Sequence, residues 1–383
     1  MRVLDLKIRK VYASNSRETV EIEATTKKGK VHASVPFGTS KSKYEVRYLP
    51  FEQVVNNFAR IKKYFLEEFD SLKDVDDLLH IIDKTEDFRE IGGNLALAIS
   101  SVFLKAFALE EGIPVFLYLN KNPSIPKPVC NVAGGWKGQS DIQEFLLLPL
   151  HQEKFLNSME EIMDSYLRLG DELKKVDTLF NYSKNLESAW ITSLQSEKVL
   201  EAIEKVKSES LMIGIDVAAS NLWNGEKYIY KDRQLSIMQQ IDYMLELTRK
   251  FKLFYVEDPF HQDDFVSFSV FTKNSNCLVV GDDIYATNIK RLKAGLDIKA
   301  TNAVLVKPNQ IGTITDALNF VREAKKNNMK IVVSHRSAET DDNLLSHLAT
   351  GFGADYFKLG VSGERIVKIN EMIRIEEIIE ELK

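Results

Sequence analysis

The sequence predicts an α/β protein in which a smaller α+β domain precedes a (β/α) barrel. Three observations predict it. At 383 residues the chain exceeds one small domain and has room for a barrel with an added unit. Its front alternates apolar and polar residues before turning to helical spacing. Its back repeats short apolar runs, each ending in a polar or charged residue.

In the front, Val20, Ile22 and Ala24 fall on one face within Asp5 to Val35, and Lys27 to Gly29 carries turn chemistry, so a small antiparallel sheet is expected. From Phe51 to Phe69, Val54, Val55, Phe58, Ile61, Phe65 and Phe69 recur at helical intervals. A second helix is expected over Gly93 to Glu111, stopping at Gly112 ahead of Pro114. Its apolar stretch, Leu95 to Leu109, is short for a membrane span and contains Lys105, so it reads as a buried helix. Three prolines between Asn120 and Pro128 disfavour a regular element. They divide the chain into an α+β capping domain over 1–120 and a barrel over 121–383.

The six runs of the back are Leu211 to Asp216, Leu253 to Glu257, Cys277 to Asp282, Ala303 to Lys307, Lys330 to His335 and Tyr356 to Lys358. Their last residues lie 41, 25, 25, 28 and 23 positions apart, about one βα unit each, and they read as parallel strands buried on both faces. In a closed barrel the C-terminal strand ends share one mouth. Asp216, Glu257, Asp282, Lys307, His335 and Lys358 would meet there.

Three carboxylates from consecutive strands offer hard oxygen ligands for Mg2+. Without a cation or basic partners they would repel one another, and at least one would tend to take up a proton. Lys307 ends the next strand. Beside metal cations and a second lysine, Lys358, its ammonium form is disfavoured, which makes it a candidate base. The proton next to a carboxylate is weakly acidic, so such a base works only if the enolate charge is stabilised as it forms. Ser334-His335-Arg336-Ser337 groups an imidazole, a guanidinium and hydroxyls at one strand end, a set suited to a phosphate or carboxylate. An anionic substrate is implied.

Composition narrows the class. Lys plus Arg number 51 against 56 Asp plus Glu, a net charge of −5 with no basic track, which argues against nucleic acid as a main partner. Cys130 and Cys277 lack CxxC spacing, so neither a disulfide framework nor a structural zinc site is expected. With no signal-peptide pattern at the start, a cytoplasmic setting without membrane attachment is expected.

At these residues the chain resembles enolase. The matching segments are GIDVAASNLW (214–223), YVEDPFHQDDF (255–265), VVGDDIYATN (279–288), NAVLVKPNQIGT (302–313), VSHRSAETDDN (333–343) and GERIVKINEMIRIEE (363–377), with weaker similarity reaching the front through TVEIEA (19–24) and DIQEFLLLP (141–149). The resemblance implies an enolase-type, TIM-like barrel and the hydro-lyase reaction that converts 2-phosphoglycerate to phosphoenolpyruvate in glycolysis. It implies two Mg2+ per site, the tighter one on Asp216, Glu257 and Asp282 and the second assisted by Ser40 of a mobile loop. Lys307 takes the position of the base. His335, Arg336 and Ser337 match the substrate loop, Lys358 the lysine facing the substrate carboxylate, and Gln143 and Glu144 a second loop of the site. Glu21 and Arg374 match a pair that spans a dimer interface, so a homodimer is implied.

The departures are local. Where enolases carry GDEGG, this chain has Asn185-Leu186-Glu187-Ser188-Ala189, and Glu187 is the candidate acid for the leaving hydroxyl. The GG-x-H loop appears as Gly134-Gly135-Trp136-Lys137, which lacks the histidine; Lys137 or His261 stands as a substitute. SRGNPTVE is shortened to SRETVE (16–21), and Phe37 replaces a small residue in the FGTSK loop. Two further readings therefore stay open: a paralog forming a metal-stabilised enolate from another phosphorylated or carboxylic acid, and a non-catalytic homologue that binds a metabolite or a protein.

Overall fold

A computed structural model describes residues 1–382 apart from 40–41, 135–139 and 152–153. Strands β1 (Asp5–Tyr12), β2 (Glu18–Thr25) and β3 (Lys30–Ser34) form the expected antiparallel sheet, which buries Val20, Ile22 and Ala24. Gly29 turns β2 into β3 with φ +148°, a conformation other residues resist. Helix α1 (Phe51–Ile61) ends sooner than the spacing implies, because Lys62–Leu66 tightens into a 3-10 turn. Phe65 and Phe69 still reach the core and pack with Phe103 at ring separations of 6.0 and 5.7 Å. Helix α2 (Leu72–Ile82) was not anticipated, although Ser71 and Asp74 form a capping box that marks its start.

Helix α3 (Gly93–Glu111) is almost wholly buried and ends on the left-handed Gly112, as expected. Lys105 leaves its apolar surroundings to reach the His32 carbonyl and Asp342 of the barrel, each at 2.8 Å. Helix α4 (Val115–Leu119) completes the first domain.

The second domain follows as β4 (Lys127–Gly134), β5 (Glu144–Pro149), α5 (Phe155–Val176), β6 (Trp190–Ile191), α6 (Ser196–Val206), β7 (Leu211–Asp216), the short hairpin β8 (Tyr228–Ile229) and β9 (Gln234–Leu235), α7 (Ile237–Lys250), β10 (Tyr255–Glu257), α8 (Phe265–Asn274), β11 (Leu278–Gly281), α9 (Ile289–Asp297), β12 (Ala303–Val306), α10 (Pro308–Ile311), α11 (Ile314–Lys326), β13 (Lys330–Ser334), α12 (Leu344–Gly351), β14 (Tyr356–Gly360) and α13 (Ile366–Glu381). Pairing runs β4-β5-β7-β10-β11-β12-β13-β14 and closes from β14 back to β4, an eight-stranded barrel with β6 flanking β4. The six apolar runs of the sequence are β7 and β10 to β14, all parallel. The barrel also uses β4 and β5, which those runs did not include. Strand β5 is antiparallel to both of its neighbours, because the nine residues between β4 and β5 are too few for the crossover that parallel pairing needs.

Val129, Leu146, Leu148, Tyr255, Val280, Ala303, Leu305, Val332 and Tyr356 fill the barrel interior. Side chains on one strand face recur every second residue. Two positions nearer the mouth, that same face presents Asn131, Glu144, Glu257, Asp282, Lys307, Ser334 and Lys358, and Asp216 stands above Gly214. The first domain also caps helix α11, whose Ile314 and Thr315 amides donate to Ser100 and Asp76 at 2.9 and 3.0 Å.

Candidate active site

Glu144, Asp216 and Glu257 are register partners on β5, β7 and β10. Three like charges side by side repel, and the Lys358 ammonium answers them, 2.8 Å from Asp216 and Glu257 and 3.0 Å from Glu144. Burial, then the nearby Glu187 charge, pushes the Glu144 carboxyl well above its usual range. Burial and Asp216 push Glu257 up to about 8. Lys358 is raised as well: burial opposes its charge, but Asp216, Glu144 and Glu257 outweigh it and hold it protonated. The second Glu257 oxygen accepts from the Tyr255 hydroxyl at 2.6 Å.

Asp282 follows β11 and accepts from Lys307 through Oδ2 and from Gln310 through Oδ1. Lys307 sits where β12 stops, fixed by Pro308 and by a 3.0 Å bond from its amide to Thr287. Burial opposes its charge, yet Asp282 outweighs it and the net shift is upward. Asp258, with φ +40°, accepts from the backbone amides of Asp282 and Asp283 at 3.0 and 2.7 Å.

Among the described residues, the compact oxygen cluster is Asp258, Asp282 and Asp283, with ligand atoms within 4.8 Å of one another. Of the expected ligands Asp216, Glu257 and Asp282, only Asp282 belongs to it; Asp216 and Glu257 turn to Lys358. The donor chemistry nonetheless fits a hard divalent cation, because buried carboxylates that repel one another gain from a shared positive charge. Burial and Asp282 raise Asp283 to about 7, and burial and Asp283 raise Asp258 well above normal.

The loop after β13 places Arg336 against Glu45 of the first domain in a bidentate pair, at 3.1 and 3.2 Å, and against Asn309 at 3.2 Å. Ser337 accepts from the Thr39 amide at 2.9 Å, so the FGTSK loop touches the loop after β13 directly. Ser40 and Lys137 lie outside the described residues.

Glu187 lies on a loop closed by Asn185 and accepts from Asn131 of β4 at 3.0 Å. Burial would raise it, but the charges of His335, Arg365 and Lys358, with the Asn131 bond, bring it down to about 2. His335, 3.7 Å away, is driven down to about 3 by burial. The ring is therefore held toward its neutral form, which removes the first of those charges and leaves Arg365 and Lys358 as the cations acting on Glu187.

One cavity of about 230 Å³ gathers Gln143, Glu144, Glu187, Asp216, Asp282, Lys307, His335, Arg336, Ser337 and Lys358. Of the expected set, Glu257 is too deep to line it. Glu45, Asn131, Asp258, Asp283 and Arg365 were missed as functional positions. Asp258 and Asp283 adjoin the expected ligands in ED and DD pairs, which was the available signal, whereas Glu45 is brought in only by domain packing. His261 stacks on Trp223 at 4.6 Å and does not line the cavity, so it does not replace the missing histidine. Glu21 pairs within the chain with Arg9, and Arg374 with Glu371.

Comparison with known proteins agrees along the whole chain. The family described as the enolase N-terminal domain matches residues 3–119, and that described as the enolase C-terminal TIM barrel domain matches residues 122–382. The chain is 38% identical to the enolase of Archaeoglobus fulgidus over 99% of its own length and 98% of that protein's. It is 37% identical to the enolase of Picrophilus torridus, covering 98% of each, and 38% identical to that of Pyrobaculum aerophilum, covering 98% and 96%. With both domains matched and full-length relatives of this similarity, the chain belongs to the enolase family.

Proposed function

We propose that this protein is an enolase, a hydro-lyase that converts 2-phosphoglycerate to phosphoenolpyruvate and water. The observation that carries the reading is a single cavity holding an amine, a pair of coupled carboxyl groups and two cationic side chains. Lys307, as the free amine, takes the C2 proton, and the electron pair it leaves behind delocalises into the substrate carboxylate. That pair then forms the C2–C3 double bond as the C3–O bond breaks, and the hydroxyl leaves as water with a proton that Glu144 holds and Glu187 delivers. Glu187 is the arm assigned to the leaving oxygen. Arg336 and Ser337 hold the phosphate, with His335 and Gln143 beside the substrate, and Lys358 faces its carboxylate.

Asp216, Glu257 and Asp282 would hold Mg2+, with Asp283 beside them and Ser40 serving a second ion. Bound there, Mg2+ would offset the charge that develops on the enolate. The reading extends to a cytoplasmic homodimer paired through Glu21 and Arg374, and to domains of 1–120 and 121–383. Its test is the appearance of phosphoenolpyruvate from 2-phosphoglycerate with Mg2+. Binding without product would point to the paralog reading, which the altered Asn185-Leu186-Glu187-Ser188-Ala189 loop favours.

A further inference from the structure

We propose that Arg365 is a positioning residue for the water-releasing half of this site, setting the tautomer of His335 and pinning the loop that carries Glu187. The inference rests on the enolase reading above. Arg365 lies outside the cavity lining, and its side chain is completely buried. From there Nε donates to His335 Nδ1 at 3.1 Å, Nη1 to the Leu186 carbonyl at 2.9 Å, and Nη2 to the carbonyls of Arg336 and Ser337 at 2.8 and 3.1 Å.

A guanidinium has donors only. Nδ1 of His335 must therefore accept, and the neutral ring must carry its proton on Nε2. That atom is buried, makes no hydrogen bond among the described residues and lies 3.7 Å from Glu187. The remaining arms grip the residue before Glu187 and the backbone of the substrate loop. A planar fork spans both loops at once, and a lysine, which is a point charge, cannot. Lys307 and Asp282 make none of these contacts. The two chemical half-steps should therefore respond differently.

The experiment has two arms. In the wild-type holoenzyme, histidine nitrogen NMR, assigned with His335→Gln, should show a neutral His335 protonated at Nε2 at neutral pH. A proton on Nδ1, or an imidazolium, would overturn the proposal whether or not the variant below folds. In Arg365→Lys, dehydration of 2-phosphoglycerate should fall at least tenfold, while exchange of its C2 proton with solvent stays within threefold of wild type. Parallel loss of both rates would mean that Arg365 merely supports the fold. Absence of phosphoenolpyruvate formation by the wild type would instead count against the enolase reading and leave the NMR arm intact.

Discussion

The Lys358 ammonium stands 2.8 Å from both Asp216 and Glu257, so one buried cation is shared by two of the side chains assigned to the metal. Removing one member of a buried ionic cluster leaves uncompensated charge, at a cost of about 3–5 kcal/mol. Lys358→Met should therefore lower unfolding free energy by that order in chelator-treated buffer, and added Mg2+ should recover part of the loss. Chemical denaturation with and without Mg2+ checks it. Unchanged stability in chelator would contradict the assigned balance of charge.

Gly360 of β14 passes so close to the Glu187 loop that an added Cβ would lie 2.5 Å from the Glu187 carbonyl oxygen. Backbone must move to admit Gly360→Ala. A displacement of about 1 Å at a catalytic group can cost on the order of 100-fold in rate. Phosphoenolpyruvate formation should fall by about that factor, with C2 exchange far less affected. Equal effects on the two rates would show that Glu187 is not confined to the second half-step.

Asp76 joins the domains through the Thr315 amide, and burial raises its carboxyl from 3.8 to about 6. A carboxyl raised on folding favours the folded state fully below its unfolded value, and that contribution is lost as pH rises through the folded value. Asp76→Asn lacks this dependence. Its stability relative to wild type should climb between about pH 4 and pH 7, by up to about 3 kcal/mol from two pKa units. Thermal unfolding of both proteins across that range measures it; a flat difference would show that Asp76 is not the titrating group.

How far the sequence carried can be seen in particular residues. Asp216, Glu257, Asp282, Lys307 and Lys358 were legible because each closes a short β run, and barrel geometry sends such positions to one mouth. Strand β5 was hidden, since EFLLLP shows neither alternation nor a preceding helix, and its reversed direction depends on pairing with β4 and β7. Glu45 and Arg365 act through tertiary contacts nearly 300 and about 30 residues away, to Arg336 and His335, and no local pattern encodes such partners. The direct bond from Lys307 to Asp282 was hidden for a related reason: strand order placed both at the mouth but did not show that they touch.

The most direct test compares C2 deuterium uptake by 2-phosphoglycerate in heavy water with Mg2+, using wild type, Lys307→Ala and Glu187→Gln. Loss of a general base costs about 100- to 10,000-fold. Exchange should fall by that order in Lys307→Ala while Mg2+ binding persists, and it should survive in Glu187→Gln, where dehydration fails. Undiminished exchange in folded Lys307→Ala would contradict the account.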